Sequence, residues 1–146
     1  MVDEVYEYLV LESSHLSLAS MPGMARRTIT ISSVAKTFSF TGWKIGWSCA
    51  SRELKAAVRT AKQFLTYVNG APFQYAVAEG LKKCDGYLVE MAQVLRSKRE
   101  RLATGLEAAG LRILPSQGTF FLTTDISALT DEHSYDFVAR YRSVAA

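Results

Sequence analysis

The amino-acid sequence predicts a fold that mixes strands with long helices, of the α/β or α+β class. Three observations lead to this prediction: helical periodicity in the middle of the chain, short β-branched segments on both sides of it, and a globular composition. The 146 residues are 49% hydrophobic and 21% charged, with nine glycines and three prolines. This composition excludes a disordered tail and a collagen-like repeat.

Strand signals are short and lie near both ends of the chain. Residues 28–31 (Thr-Ile-Thr-Ile) alternate and are β-branched throughout, and residues 45–49 are a suitable neighbour. Residues 111–114 and 119–123 flank a Pro-Ser-Gln-Gly segment, which predicts a turn or hairpin.

Helical spacing dominates the region between these strands. Apolar residues recur every three or four positions over residues 52–68, with Ser51 placed to cap the first turn and Asn69-Gly70 to end the helix. Pro72 suits the first turn of a second helix. A third helix is predicted from Asp85 to Gly110, where the glycine ends it, and a last one over residues 135–146.

Composition also limits the partners and the compartment. The formal net charge of +3 is mild and predicts neither a nucleic-acid partner nor an anionic membrane partner. Cys49 and Cys84 have no C-x-x-C spacing and only two histidines accompany them, so no metal site and a reduced, cytoplasmic location are expected. The acidic N-terminus is unlike a signal peptide, and no apolar run is long enough to span a membrane.

The densest polar cluster lies between the first two strand signals. Lys36 follows an apolar segment and stands among hydroxyls and aromatic rings, where partial desolvation favours an amine that attacks a carbonyl. Ser33 and Lys44 are suitable donors for a phosphate group. On composition alone, a solvated loop lysine is the favoured interpretation, because surface lysines are so common.

Residues 33–46 (Ser-Val-Ala-Lys-Thr-Phe-Ser-Phe-Thr-Gly-Trp-Lys-Ile-Gly) resemble the lysine signature of the class I/II, fold type I, pyridoxal-phosphate-dependent aminotransferases. Residues 43–47 and 18–24 most resemble the branch of kynurenine and methionine aminotransferases and cysteine-S-conjugate β-lyases. Residues 3–7 (Asp-Glu-Val-Tyr-Glu) are similar to the Asp-x-x-Tyr segment of the family, and residues 115–121 to its small-domain turn. The resemblance therefore implies an α/β fold of type I.

The resemblance also implies a role for each matching residue. Lys36 would be the catalytic residue, forming a Schiff base with pyridoxal 5'-phosphate and moving protons. Asp3 would pair with the pyridine nitrogen, and Tyr6 would donate to the 3-oxygen of the ring. Ser33 and Lys44 would hold the phosphate. Its substrates would be an amino acid and a 2-oxo acid, and the full-length enzyme would be a homodimer.

The matching segments cover the later part of the family's large domain and the start of its small domain. We expect residues 1–84 to belong to the cofactor-binding large domain, and residues 85–146 to form a linking long helix and an incomplete small domain. Both ends of the chain look cut, so the sequence is interpreted as a fragment that lacks substrate recognition.

Three other interpretations of these residues remain open. The same residues would serve a β-lyase that acts on cysteine S-conjugates. They would also fit the aminotransferase-like effector domain of a transcription regulator, which requires a helix-turn-helix region upstream. The third reading is an inert truncated product that neither binds the cofactor nor folds alone.

Overall fold

The structure is a computed structural model and describes residues 1–144. Contacts between Cα atoms divide the chain into two compact units. The first comprises Met1–Leu95 and Gln117–Thr119, and the second comprises Arg96–Ser116 and the described residues from Phe120 onward. The long helix α4, Asp85–Ala108, contributes residues to both units.

A three-stranded sheet organises the first unit. Strand β1 (Val2–Asp3) pairs in parallel with β2 (Ile29–Ser33), and β2 pairs antiparallel with β3 (Gly46–Ala50), so β2 is the middle strand. The strands predicted over residues 28–31 and 45–49 are confirmed, with ends displaced by one or two residues. Strand β1 was not predicted, because two residues are too short to show a period-2 pattern.

Three helices complete the first unit beside the start of α4: α1 (Val34–Thr37), α2 (Arg52–Leu65) and α3 (Ala71–Lys83). The predicted cap is present, since the Ser51 hydroxyl accepts from the Leu54 amide at 3.4 Å. Helix α2 ends three residues earlier than predicted, because Tyr67 adopts a left-handed conformation with φ of 57°. Hydrophobic periodicity alone does not report this backbone change.

The core of the first unit lies where α1, α3 and α4 meet. Its buried members are apolar side chains of α1 and the residue that follows it, of the residue before β3, and of α3 and α4: Val34, Phe38, Ile45, Val77 and Leu88. Gly80 allows the ring of Phe38 to approach α3, since a Cβ at Gly80 would lie 3.4 Å from two ring carbons. This packing fixes α1 against the helices.

The second unit contains a short antiparallel pair, β4 (Arg112–Ile113) with β5 (Thr124–Asp125), and the helix α5 (Ser134–Val144). The strand predicted over residues 119–123 is wrong. Thr119 is left-handed, with φ of 67°, and Gly118 instead forms an isolated bridge with Val10 within the first unit. Gly110, with φ of 85°, ends α4 as predicted. Residues 145–146 of the predicted last helix lie outside the described residues.

Throughout residues 1–144, no helix combines the length and the hydropathy that crossing a bilayer requires.

Candidate functional site

The residues predicted to bind the cofactor lie at one edge of the sheet. Asp3 is the last residue of β1 and pairs with Ile31 of β2, while Ser33 is the last residue of β2. Because β1 and β2 are parallel, their carboxyl ends meet at this edge, which is where open α/β sheets bind ligands. Helix α1 begins there and carries Lys36.

Lys44 returns to the same edge from the opposite direction. Strand β3 begins at Gly46, which pairs with Ser33, and the Val34 amide donates to the Ile45 carbonyl at 3.0 Å. Lys44 therefore lies just before Gly46, the residue that faces Ser33. The antiparallel pairing of β2 and β3 brings a hydroxyl and a second cation to the lysine-bearing turn.

The side chains of Lys36 and Tyr6 are in contact across this edge. The ammonium nitrogen of Lys36 lies 5.9 Å from the centroid of the Tyr6 ring, within the range of a cation–π interaction. Both residues are half-buried, as the sequence predicted for Lys36. The Leu9 amide fixes the turn that presents Tyr6 by donating to the Tyr6 carbonyl at 2.8 Å.

Asp3 and Ser33 are placed differently from this pair. The Asp3 carboxylate is exposed and accepts from the Val5 amide at 3.1 Å, which closes the turn after β1. Ser33 is the N-cap residue of α1, yet its hydroxyl makes no capping hydrogen bond. The Ser33 hydroxyl is thus not committed to the helix terminus.

Lys44 adopts a left-handed backbone conformation, with φ of 55° and ψ of 36°. This conformation is unfavourable for residues other than glycine, asparagine and aspartate. The Asn69 side-chain amide donates to the Lys44 carbonyl at 2.7 Å, and the rings of Phe40, Trp43 and Phe73 stack on each other with centroids 4.8–4.9 Å apart. These contacts fix the Lys44 backbone, while its side chain is exposed.

Sequence reasoning missed the residue that ties this edge to the next segment. Glu4 is only 6% exposed, and its carboxylate accepts from the His15 Nε2 at 3.0 Å, the Ser17 hydroxyl at 3.1 Å and the Leu18 amide at 3.0 Å. Burial raises the pKa of Glu4, but these hydrogen bonds and the attraction of His15 together hold it below its usual range. Glu4 lies within the Asp-x-x-Tyr segment, but its partners His15 and Leu18 are 11 and 14 positions away.

Tyr6 and Glu4 also line a cavity of about 360 Å³. Its lining combines carboxylates, an imidazole, a phenol and backbone of the 117–119 segment, with Asp3, Glu4, Tyr6, His15, Gln117 and Thr119 among the residues. Among the described residues that line this cavity, Asp3 and Tyr6 belong to the predicted cofactor site, whereas Lys36, Ser33 and Lys44 lie outside the lining. Over the described part of the chain, no group of three histidine, cysteine or acidic side chains is arranged to hold a metal ion.

The chain matches one family model over nearly its whole length. The model of aminotransferase class I and II covers residues 1–142. This chain belongs to the aminotransferase class I and II family. The family resemblance inferred from residues 33–46 is therefore confirmed.

Among curated relatives, the Mycobacterium tuberculosis protein named Probable N-succinyldiaminopimelate aminotransferase DapC is 52% identical over 138 residues, which are 94% of this chain and 35% of that protein. Kynurenine–oxoglutarate transaminase 3 of Rattus norvegicus is 41% identical over 135 residues, 87% of this chain and 30% of the relative. The chain thus spans about a third of the length of these relatives.

Solved structures of the family share the fold. The N-succinyldiaminopimelate aminotransferase from Mycobacterium tuberculosis superposes with a TM-score of 0.90 at 52% identity, over 94% of this chain and 36% of that one. YbdL from Escherichia coli, which has a methionine aminotransferase function, gives 0.86 at 34% identity, over 92% and 36%. An aspartate aminotransferase variant from Thermus thermophilus gives 0.79 at 31%, over 88% and 34%. The predicted α/β fold of type I is confirmed.

Proposed function

We propose that this chain carries the lysine-bearing part of the cofactor site of a pyridoxal-phosphate-dependent aminotransferase. The complete protein would move an amino group from an amino acid to a 2-oxo acid. One observation carries the proposal: the Lys36 amine lies against the Tyr6 ring at the sheet edge where Asp3, Ser33 and the segment before β3 meet.

The donor set at this edge fits pyridoxal phosphate chemically. Pyridoxal phosphate presents an aldehyde, a pyridine nitrogen, a ring oxygen and a phosphate. The sheet edge provides the groups that these require: an amine, a carboxylate, a phenol, a hydroxyl outside the helix cap and a second cation. When bound, the cofactor supplies an electron-accepting ring for the electrons released at the substrate Cα. The binding and proton-transfer roles at this edge belong to side chains of the chain.

Lys36 then has two tasks, and each of the other four residues has one. Lys36 binds the cofactor through its amine and later moves a proton at the substrate Cα. Asp3 keeps a proton on the pyridine nitrogen, and Tyr6 donates a hydrogen bond to the ring oxygen. Ser33 donates to the phosphate, and Lys44 provides a point charge without the fixed fork of an arginine.

The relatives suggest which amino donors to test first. The relative that is 52% identical is named for N-succinyldiaminopimelate, and relatives near 40% identity are named for kynurenine. We propose an N-succinylated diamino acid as the first candidate donor and kynurenine as the second. Release of pyruvate from a cysteine conjugate without a 2-oxo acid acceptor would instead identify a β-lyase.

We further propose that the complete protein is a homodimer of the cytoplasm, with its large domain ending at residue 84 and its small domain following. The α2–α3 region supports the dimer, because it exposes large apolar side chains that a partner subunit would cover: Phe64, Leu65, Tyr67, Val68, Phe73 and Tyr75. Free thiols at Cys49 and Cys84 fit a reducing compartment.

Borohydride reduction tests the cofactor assignment directly. Pyridoxal phosphate is added to the purified chain, the adduct is reduced, and peptide mapping locates the label. We expect about one label per chain at Lys36, lost in Lys36→Ala and retained in the control Lys55→Ala, since Lys55 is an exposed residue of α2. Labels scattered over many surface lysines would contradict the proposal.

A further inference from the structure

A buried carboxylate joins the Tyr6 turn to the segment 15–18. The Glu4 side chain is 4% exposed and pairs with the His15 imidazole at 3.0 Å, while the Ser17 hydroxyl and the Leu18 amide donate to its other oxygen at 3.1 and 3.0 Å. Hydrogen bonds to an ionised acceptor are stronger than neutral ones. Removing such an acceptor also leaves buried donors unpaired, at the cost of their desolvation.

The backbone of Glu4 is fixed at the same time. Its amide donates to the Ile31 carbonyl of β2 at 2.8 Å, and its carbonyl accepts from the Glu7 amide at 2.9 Å, closing the turn that contains Tyr6. Glu4 is therefore bonded through its backbone to the sheet and the turn, and through its side chain to the segment 15–18.

The titratable groups around Glu4 are few. Asp3, Tyr6 and Glu7 come from its own segment, and His15 comes from the facing segment; all four line the same cavity as Glu4. Two of the three neighbours on its own segment are acidic, so His15 is the group that supplies an opposite charge on this side when it is protonated.

We propose that Glu4 is a positioning residue that anchors the Asp3–Tyr6 turn to the segment 15–18, and thereby holds the Tyr6 phenol over Lys36. This inference rests on the proposed function, because it concerns how the chain prepares the site for pyridoxal phosphate. Glu4 itself does not touch the cofactor. Its carboxylate acts through Tyr6 and Asp3, by fixing the turn between them before any ligand arrives.

Hydrogen exchange of the chain without cofactor tests the anchor itself. Glu4→Gln removes the charge with little change in shape, and Glu90→Gln on the exposed face of α4 is the matched control. We expect the Leu18 amide, which donates to Glu4, to exchange about tenfold faster in Glu4→Gln. The Cys84 amide, bonded to Gly80 at the end of α3, should keep its rate if the variant is folded.

Cofactor binding tests the positioning. We expect Glu4→Gln to raise the dissociation constant of pyridoxal phosphate about tenfold relative to Glu90→Gln. The absorbance of the bound cofactor changes at a particular pH. We expect this pH to be higher in Glu4→Gln, because a displaced Tyr6 no longer donates to the ring oxygen. A purely structural role would weaken binding without moving this pH.

Graded variants keep the test decisive if Glu4→Gln does not fold. Ser17→Ala removes one of three donors and His15→Ala removes another, so each should give a smaller change in the same direction. His15→Gln retains an N–H donor and should restore most of the loss seen in His15→Ala.

The outcomes separate the two proposals. Lack of specific labelling at Lys36 in the unchanged chain would overturn the proposed function, and this inference with it. The second outcome is specific labelling at Lys36, with Glu4→Gln and Glu90→Gln having the same dissociation constant and changing absorbance at the same pH. This outcome would overturn only the inference about Glu4. Where Glu4→Gln is unfolded, the same comparison is made with Ser17→Ala and His15→Ala.

Discussion

The side-chain amide of Asn69 donates a hydrogen bond of 2.7 Å to the backbone carbonyl of Lys44, a residue 25 positions earlier in the chain. Lys44 holds the left-handed conformation that this bond stabilises. The Asn69 carbonyl in turn accepts from the Gln74 side-chain amide. The loop between α2 and α3 is therefore part of the structure that fixes the backbone of Lys44, the second cation of the candidate site.

Replacing Asn69 by alanine should loosen Lys44. The loss of one hydrogen bond should lower the free energy of unfolding by about 1 kcal/mol, and the freed Lys44 turn should bind pyridoxal phosphate several-fold more weakly. Urea unfolding and cofactor titration measure the two effects. Gln63→Ala, at an exposed position of α2, is the control, and equal behaviour of both variants would show that the Asn69 bond is unimportant.

The phosphate-binding role that we propose for Lys44 can be separated from general effects on the site. Pyridoxal lacks the phosphate but keeps the aldehyde and the ring. Lys44→Ala should weaken pyridoxal phosphate about tenfold, which corresponds to about 1.4 kcal/mol, and leave the affinity for pyridoxal unchanged. Lys44→Arg should preserve the charge and most of the affinity. Parallel losses for both ligands in Lys44→Ala would argue against phosphate binding at this residue.

Gly46 should not tolerate a side chain. A Cβ at this position would lie 2.9 Å from the Ser32 carbonyl oxygen, a backbone atom that cannot move without breaking the pairing of β2 with β3. Gly46→Ala should therefore destabilise the chain by about 1–3 kcal/mol. Gly42→Ala is the control, because no atom lies within 4 Å of its Cβ position. Urea midpoints of the two variants should differ clearly.

The buried Glu4 should make stability fall in acid. Its pKa is lowered in the folded chain, so its contribution is complete above the ordinary pKa of a glutamate and is lost as the pH falls through the lower folded-state value. Glu4→Gln should cost about 2 kcal/mol near pH 7 and flatten this acid dependence. Urea unfolding between pH 7 and pH 3, with Glu90→Gln as reference, gives the comparison; parallel curves would contradict the assignment.

The proximity of the candidate site residues is easier to predict from the sequence than the contacts that surround them. Lys36, Ser33 and Lys44 lie within one continuous signature, so their proximity follows from one strand, one helical turn and one antiparallel return. The contact of Tyr6 with Lys36 depends on the parallel pairing of β1 with β2. Neither periodicity nor composition reports such a pairing when one strand has two residues.

The features that the sequence did not predict depend on the backbone angles of single residues or on hydrogen-bond partners far along the chain. Tyr67 and Thr119 both adopt positive φ, which shortens α2 and removes a predicted strand, and neither residue type signals that conformation. His15 has no local sequence signal of its role, since its partner Glu4 lies 11 positions away. Long-range hydrogen bonds to a buried charge leave no periodic trace in a sequence.

The register of β2 with β3 also determines where this chain tolerates a change of length. Lys36 lies three residues after the end of β2. The pairing of Ser33 with Gly46 therefore makes the positions of the Ser33 hydroxyl, the Lys36 amine and Lys44 depend on a single strand register. A one-residue insertion within β2 would turn Ser33 to the opposite face of the sheet and carry the lysine away from Tyr6. Insertions and deletions in relatives of this chain should therefore avoid residues 29–36 and fall in exposed turns.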